Sequence, residues 1–532
     1  MTDITNPFLT VHHTPHQTFP FHLLEAGHYE PAIRKGIEEQ NKEIDAIINN
    51  PDPANFQNTI VALEKSGSLL GKASTLLGNL LSAETNDELQ AVAEKMMPLL
   101  TEHSNNITLN EKLFARIKEV YDNVDKAMLS VEENMLLEQT KRSFIRCGAN
   151  LSEKDKEEFR KTSAELSLNT LKFSQNLLKE KNAYELALTE EQLEGLPESA
   201  ISAYAQTAQE KGKEGYIVTL QAPSYVPFMK YAKNRELRKE LYMAYNTQCT
   251  HDNEFNNLEI VKTLVNLRLK RAQLLGFSTA ADYVLKERMA ESSENVYQLL
   301  NQLLEAYTPT ARQEVEEVKA LAQEEEGKDF ELMPWDWAYY SEKLKEKKYS
   351  LNEEELRPYF ELSQVIEGVF GLATRLYGIT FKENKDIPVY HPDVKAYEVY
   401  DKDERFLAVL YADFYPRASK RSGAWMTSYK EQWKDEEGDS RPHVSVTMNF
   451  TKPSADKPAL LTFSEVNTFL HEFGHALHGM FADTTYQSLS GTNVYWDFVE
   501  LPSQIMENFA IEKEFLNTFA KHYQTGEAIP DE

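Results

Sequence analysis

The sequence predicts a mainly α-helical protein that carries one small β-sheet. Two observations support this. From about Asn58 to Lys345, apolar residues recur three and four positions apart with few Gly or Pro breaks, which is the helical period. Beyond Pro388 the period shortens to two over several short β-branched and aromatic runs, and it returns to the helical value at Leu461.

Taken in order, the first thirty residues carry Pro15 and Pro20 and five histidines, His12, His13, His16, His22 and His28. Their irregular spacing and weak helical pattern predict an extended arm packed on the surface rather than a metal site. The long middle of the chain reads as a pile of antiparallel helices. Glu259 to Leu275 places Ile260, Leu264, Leu267, Leu274 and Leu275 on one broad face, with Gly276 where a C-terminal cap belongs. Val296 to Leu304 continues the pattern through Val315, Val318 and Leu321. No fixed repeat of 20 to 50 residues emerges, which argues against a solenoid. Tyr397 to Tyr400 and Phe406 to Tyr411 flank a polar turn and predict a hairpin. Gly423 to Trp425 follows, and a charged loop is expected through Gly438. His443 to Phe450 alternates strictly, with Val444, Val446, Met448 and Phe450 on one side, and predicts a half-buried strand. Its edge is a candidate for pairing with an extended peptide.

Composition narrows the function classes. The 532 residues are enough for three or four units and a large core, with 41% hydrophobic and 27% charged residues. Lys and Arg number 57 against 85 Asp and Glu, a net charge of -28 that repels phosphate backbones and anionic lipid surfaces. No partner of either kind is expected. No run approaches the roughly 18 apolar residues of a membrane span, and the opening has no signal-peptide pattern, so a cytoplasmic location is expected. The two cysteines, Cys147 and Cys249, form no CxxC and predict free thiols.

The chemistry lies in Leu461-Thr-Phe-Ser-Glu-Val-Asn-Thr-Phe-Leu-His-Glu-Phe-Gly-His-Ala-Leu-His478. Thr462 and Glu465 match a capping box that starts a helix. Val466, Phe469, Leu470, Phe473 and Leu477 form its buried stripe. His471 and His475, four apart, then stand one turn above each other, where two imidazoles can bind one ion, and Glu472 lies beside them. A catalytic zinc with two His ligands needs a third protein ligand and an open position. Glu500, in Asp497-Phe-Val-Glu-Leu-Pro-Ser-Gln504, can supply a carboxylate from a second helix, with Pro502 read as lying near that helix's start. The five-residue His-Glu-x-x-His match alone would arise in about three of a hundred random chains of this length, so the surrounding helix, strand and carboxylate segment carry the specificity. His478 is read as lining the site rather than binding the ion.

These two segments resemble the M3 family of zinc metallopeptidases, the thimet oligopeptidase group. Asn6-Pro-Phe-Leu, Asn58-Thr-Ile-Val-Ala-Leu-Glu-Lys65, Thr85-Asn-Asp-Glu-Leu89, Trp335-Asp-Trp-Ala-Tyr-Tyr340 and Ser490-Gly-Thr-Asn493 are most similar to its bacterial peptidyl-dipeptidase branch. The resemblance implies a bilobed, neurolysin-like helical fold with a deep channel for short peptides. It also implies zinc ligands His471, His475 and Glu500, and Glu472 as general base. It divides the chain into an N-terminal helical region, 1–225, and a catalytic region, 226–532. Family members continue into a helical segment bearing a His and several Tyr that stabilise the oxyanion. No such segment follows Glu500 here, which implies a truncated chain of weak or no activity.

The expected function is therefore zinc-dependent hydrolysis of short peptides by a monomer, releasing C-terminal dipeptides. One alternative is an oligopeptidase cutting internal bonds. Another, of a different class, is a non-catalytic helical peptide-binding scaffold with a vestigial zinc site. Arg417, Lys420 and Arg421 are weak candidates for anchoring a peptide carboxylate.

Overall fold

The computed structural model describes residues 6–454 and 456–531; the first five residues of the chain's opening and its last residue lie outside them. The architecture is mainly α, with a five-stranded mixed sheet and two short strand pairs among the described residues. Five helices matter for the site: α1 (Ser68–Ala83), α2 (Ser293–Glu326), α3 (Leu362–Tyr377), α4 (Phe463–Met480) and α5 (Trp496–Glu507). The sheet is built from β1 (Thr380–Glu383), β2 (Lys395–Tyr400), β3 (Phe406–Asp413), β4 (Trp425–Lys430) and β5 (His443–Thr447).

The expected hairpin is β2–β3, paired antiparallel. The sheet order is β1-β2-β3-β5-β4, with β5 parallel to β3 and antiparallel to β4. Two expectations fail here. β5 is not half-buried, since all five of its residues are buried. Nor is its edge open to a peptide, because a strand lies on each side of it. The physical reason is that the sheet is covered on both faces, so period-two alternation sorts residues between two cores instead of between core and water. Along β3, Ala408, Leu410 and Ala412 join one core with Val365, Val369, Phe469 and Phe473 of α3 and α4. Val409 and Tyr411 join the other, with Phe19, Phe21, Tyr29 and Leu76. The expected charged loop contains β4 and a short pair, Trp433–Asp435 with Gly438–Ser440. The flank of β4 lies along α1, where the Asn79 amide donates to the Ser428 carbonyl at 2.9 Å.

The N-terminal arm also departs from expectation. It is a series of short 3-10 turns whose Phe8, Phe19 and Phe21 are buried in the second core. Its histidines do not cluster. His16 stacks on Phe406 with centroids 3.7 Å apart and bonds Glu398 at 2.7 Å, while His12 meets the Lys72 ammonium at 2.8 Å. Burying aromatic area against the sheet drives this docking, since each such ring removes on the order of 150–250 Å² from water. Four of the hydrophobic cores, among them this one and one around Tyr204, Phe228 and Leu241, draw residues from both sides of residue 225.

The helical pile follows the sequence more closely. The helix Leu258–Leu274 ends at Gly276, whose φ is 84°, and the amides of Gly276 and Phe277 bond the carbonyls of Gln273 and Ala272 at 3.0 and 2.9 Å. That is a Schellman cap, and the left-handed φ explains the glycine. α2 differs: it buries Val318, Leu321 and Ala322, but Tyr297, Leu300, Leu304 and Tyr307 in its first half stay exposed, and nothing among the described residues covers them. Cys147 and Cys249 are free. No described helix is long and apolar enough to cross a membrane.

Candidate metal centre

α4 starts at the Thr462–Glu465 capping box, with both reciprocal bonds made, at 3.1 and 2.8 Å. The Glu465 carboxylate also accepts from the Thr451 amide at 2.7 Å, which ties the helix start to the chain leaving β5. The stripe Val466, Phe469, Leu470, Phe473 and Leu477 is buried in the first core. With that face committed, helical geometry turns His471 and His475 toward α5, which carries Glu500. His471 Nε2 and His475 Nε2 each lie 3.2 Å from Glu500 Oε2. Among the described residues this is the one group of three or more His, Cys, Asp or Glu side chains whose ligand atoms all come within 4.8 Å of one another. Tetrahedral ligands about 2.1 Å from a zinc ion would sit about 3.4 Å apart, so the donor set and spacing fit zinc.

Packing of α4 on α5 depends on Gly474. A Cβ there would stand 2.3 Å from the Pro502 carbonyl oxygen and 2.6 Å from Ser503 Cα, so only glycine permits this approach. Pro502 is not near the helix start as read from the sequence; α5 begins at Trp496, and Pro502 lies inside it. The helix extends further back because its first turn is fastened elsewhere in the molecule, as described below.

Several residues of the site were not singled out from the sequence. Glu507 Oε1 lies 2.6 Å from His471 Nδ1 and Glu507 Oε2 accepts from the Asn467 amide at 3.0 Å. The Ser503 hydroxyl donates to Glu500 Oε2 at 2.7 Å. Seven and three residues beyond Glu500, both share its helix face, which was the available signal.

Glu472 is 6% exposed, and its Oε2 has no hydrogen-bond partner. Burial pushes its carboxyl up to about 7, with the His471 charge opposing and the Glu500 charge adding to the rise. A carboxyl poised there exchanges protons near neutrality. Burial also depresses His475, against the pull of Glu500. His478 is outside the three-residue group and lines an adjoining cavity of about 550 Å³ with Leu477, Phe481, Leu501 and Ile505.

The three basic candidates for a carboxylate anchor separate. Lys420 is fully buried, donating to Asp413 Oδ1 at 2.8 Å and to the carbonyls of Tyr415 and Met448 at 2.7 and 2.6 Å. Arg417 pairs with Asp413 at 2.7 Å and with Glu84 at 2.5 Å. Arg417 thereby holds the loop after β3 against the end of α1, where it also donates to the Ala83 carbonyl, while Lys420 ties that loop to β3 and to the chain leaving β5. Arg421 instead lays its guanidinium over Trp425, 4.4 Å from the ring centroid.

The model of peptidase family M3 matches residues 228–532 of the chain. Over 530 residues the chain is 37% identical to dipeptidyl carboxypeptidase of Escherichia coli (strain K12), a match covering 99% of this chain and 77% of that protein. Over 536 residues it is 36% identical to oligopeptidase A of the same organism, covering 99% of this chain and 78% of that one.

Proposed function

The chain belongs to peptidase family M3, a family of metallopeptidases, and we propose that it hydrolyses peptide bonds in short peptides with one zinc ion held by His471, His475 and Glu500. The observation that carries the proposal is the meeting of these three donors beside an unpaired, buried Glu472. When bound there, zinc supplies Lewis-acid polarisation of a scissile carbonyl and lowers the pKa of a water toward about 7. The chain's own residues do the rest. Glu507 accepts the His471 Nδ1 proton, which fixes the tautomer and leaves Nε2 free as a ligand. Ser503 holds the Glu500 carboxylate in one orientation. Glu472 takes the proton of the attacking water and returns it to the departing amine, a task suited to a carboxyl raised to about 7.

Within this reading the substrate is a peptide with a free C-terminus, from which a dipeptide is released, in keeping with the similarity to a dipeptidyl carboxypeptidase. The similarity to oligopeptidase A favours the second reading, cleavage at internal bonds, almost equally.

The test is cleavage of a quenched fluorescent peptide by the zinc-loaded chain, with metal content measured alongside. Glu472→Gln is expected to retain one zinc per chain and lose about a hundred- to ten-thousand-fold in kcat. Undiminished turnover by that variant would remove Glu472 as the base. Amidating the peptide's C-terminus should abolish cleavage by the dipeptide-releasing enzyme and leave an internal-cutting one unaffected. A chain that takes up zinc but cleaves nothing would leave the peptide-binding scaffold.

A further inference from the structure

Glu500 is positioned from both ends of α5. Toward the C-terminus, Ser503 and the Gly474 contact hold it against α4. Toward the N-terminus stands Asp497, one turn before Glu500 and on the same face. Its carboxylate does not cap its own helix. Oδ1 accepts from the Met289 amide at 2.9 Å and Oδ2 from the Ala290 amide at 3.0 Å, a two-pronged contact across more than two hundred residues of sequence. Beside it, the Arg288 guanidinium lies over the Trp496 ring, 5.4 Å from its centroid. The turn that supplies these amides leads into α2 and includes Glu291 at φ 62°, a left-handed conformation that a non-glycine residue adopts only when its surroundings hold it there. It is fastened on its other side as well, because Glu287 pairs with Arg142 at 3.1 Å and Arg146 at 4.0 Å on the helix Val131–Arg146.

From this chain of contacts we propose that Asp497 is a positioning residue for the metal ligand Glu500. It latches the ligand-bearing end of α5 to the turn before α2, so that the spacing of Glu500 from His471 and His475 is set by the helical pile as well as by α4. The inference rests on the reading of His471, His475 and Glu500 as zinc ligands. Because the Asp497 side chain stands at the surface, its removal opens no cavity. Its loss therefore acts on the site and leaves the core intact.

The experiment is a zinc dissociation constant, from competition with a chromophoric chelator, for the parent chain, Asp497→Asn and Asp497→Ala. The alanine variant is expected to bind zinc about tenfold more weakly, as for other residues that orient a ligand from behind, and the asparagine variant less so because it keeps one acceptor oxygen. The thermal midpoint of the metal-free chain should move by less than about 2 °C. The visible absorption of the Co²⁺-substituted chain should shift with the variants, reporting altered ligand geometry. Should metal-free Asp497→Ala fail to fold, Asp497→Asn and Arg288→Ala carry the same comparison. Zinc affinities within twofold of the parent, with superimposable cobalt spectra, would overturn the latch. A parent chain that binds no zinc would overturn instead the ligand reading on which it rests.

Discussion

His471 uses its two nitrogens for different purposes. Nε2 faces Glu500 and His475, while Nδ1 is engaged by Glu507 at 2.6 Å. An imidazole free to rotate or change tautomer would present the wrong nitrogen part of the time, and Glu507 removes that freedom. Replacing Glu507 with alanine is expected to weaken zinc binding by about 10- to 100-fold while leaving the His475 contact to Glu500 in place. Calorimetric titration with zinc checks this, and an unchanged affinity would show that ring packing alone orients His471. The His471–His475 pair is legible in the sequence because four-residue spacing on a helix is a local property. The role of Glu507 is not, because it depends on α5 running back along α4.

At the scale of elements, the centre is a junction of two helices held closer than side chains normally allow. Gly474 makes the junction possible, and Gly474→Ala is expected to force α4 and α5 apart, since the new Cβ would meet backbone atoms that cannot rotate away. The predicted cost is about 1–3 kcal/mol of stability together with weaker zinc binding, because Glu500 travels with α5. Urea midpoints with and without zinc measure the two effects separately. A variant as stable as the parent in both conditions would mean that the helices slide without loss. Helix starts and stops were largely visible beforehand, as at Thr462 and Gly276. The start of α5 was not, because its first turn is secured by Asp497 binding distant amides rather than by a local cap.

For the molecule as a whole, the sheet sits between the N-terminal arm with its helices on one side and α3 with α4 on the other. His443, at the start of β5, is buried between these layers and its Nε2 has no partner. Burial, with the charge of Lys430 adding to it, pushes the imidazole down to about 3. The folded chain therefore keeps His443 neutral from its ordinary value near 6.5 down to about 3, whereas the unfolded chain takes up a proton across that range. Stability contributed by neutral His443 is present above pH 6.5 and is lost as the pH falls toward 3, by roughly 4–5 kcal/mol in total. The slope of the urea midpoint against pH between 6.5 and 4 should accordingly flatten in His443→Phe. An identical slope in both proteins would locate the acid sensitivity elsewhere.

Local order allowed the residues themselves to announce a helical protein, a hairpin, the capped site helix and the His-Glu-x-x-His face, because each depends on neighbours within one or two turns. The segments His471–His478 and Asp497–Gln504 also pointed to a peptidase family, through their resemblance to its members. The second burial of the sheet, the docking of the arm, the commitment of Arg417 and Lys420 to Asp413, and the supports that Glu507, Ser503, Gly474 and Asp497 give the centre came from folding alone. Those features depend on which surfaces meet, and a period of two or of 3.6 reads the same whether the outward face finds water or a second core.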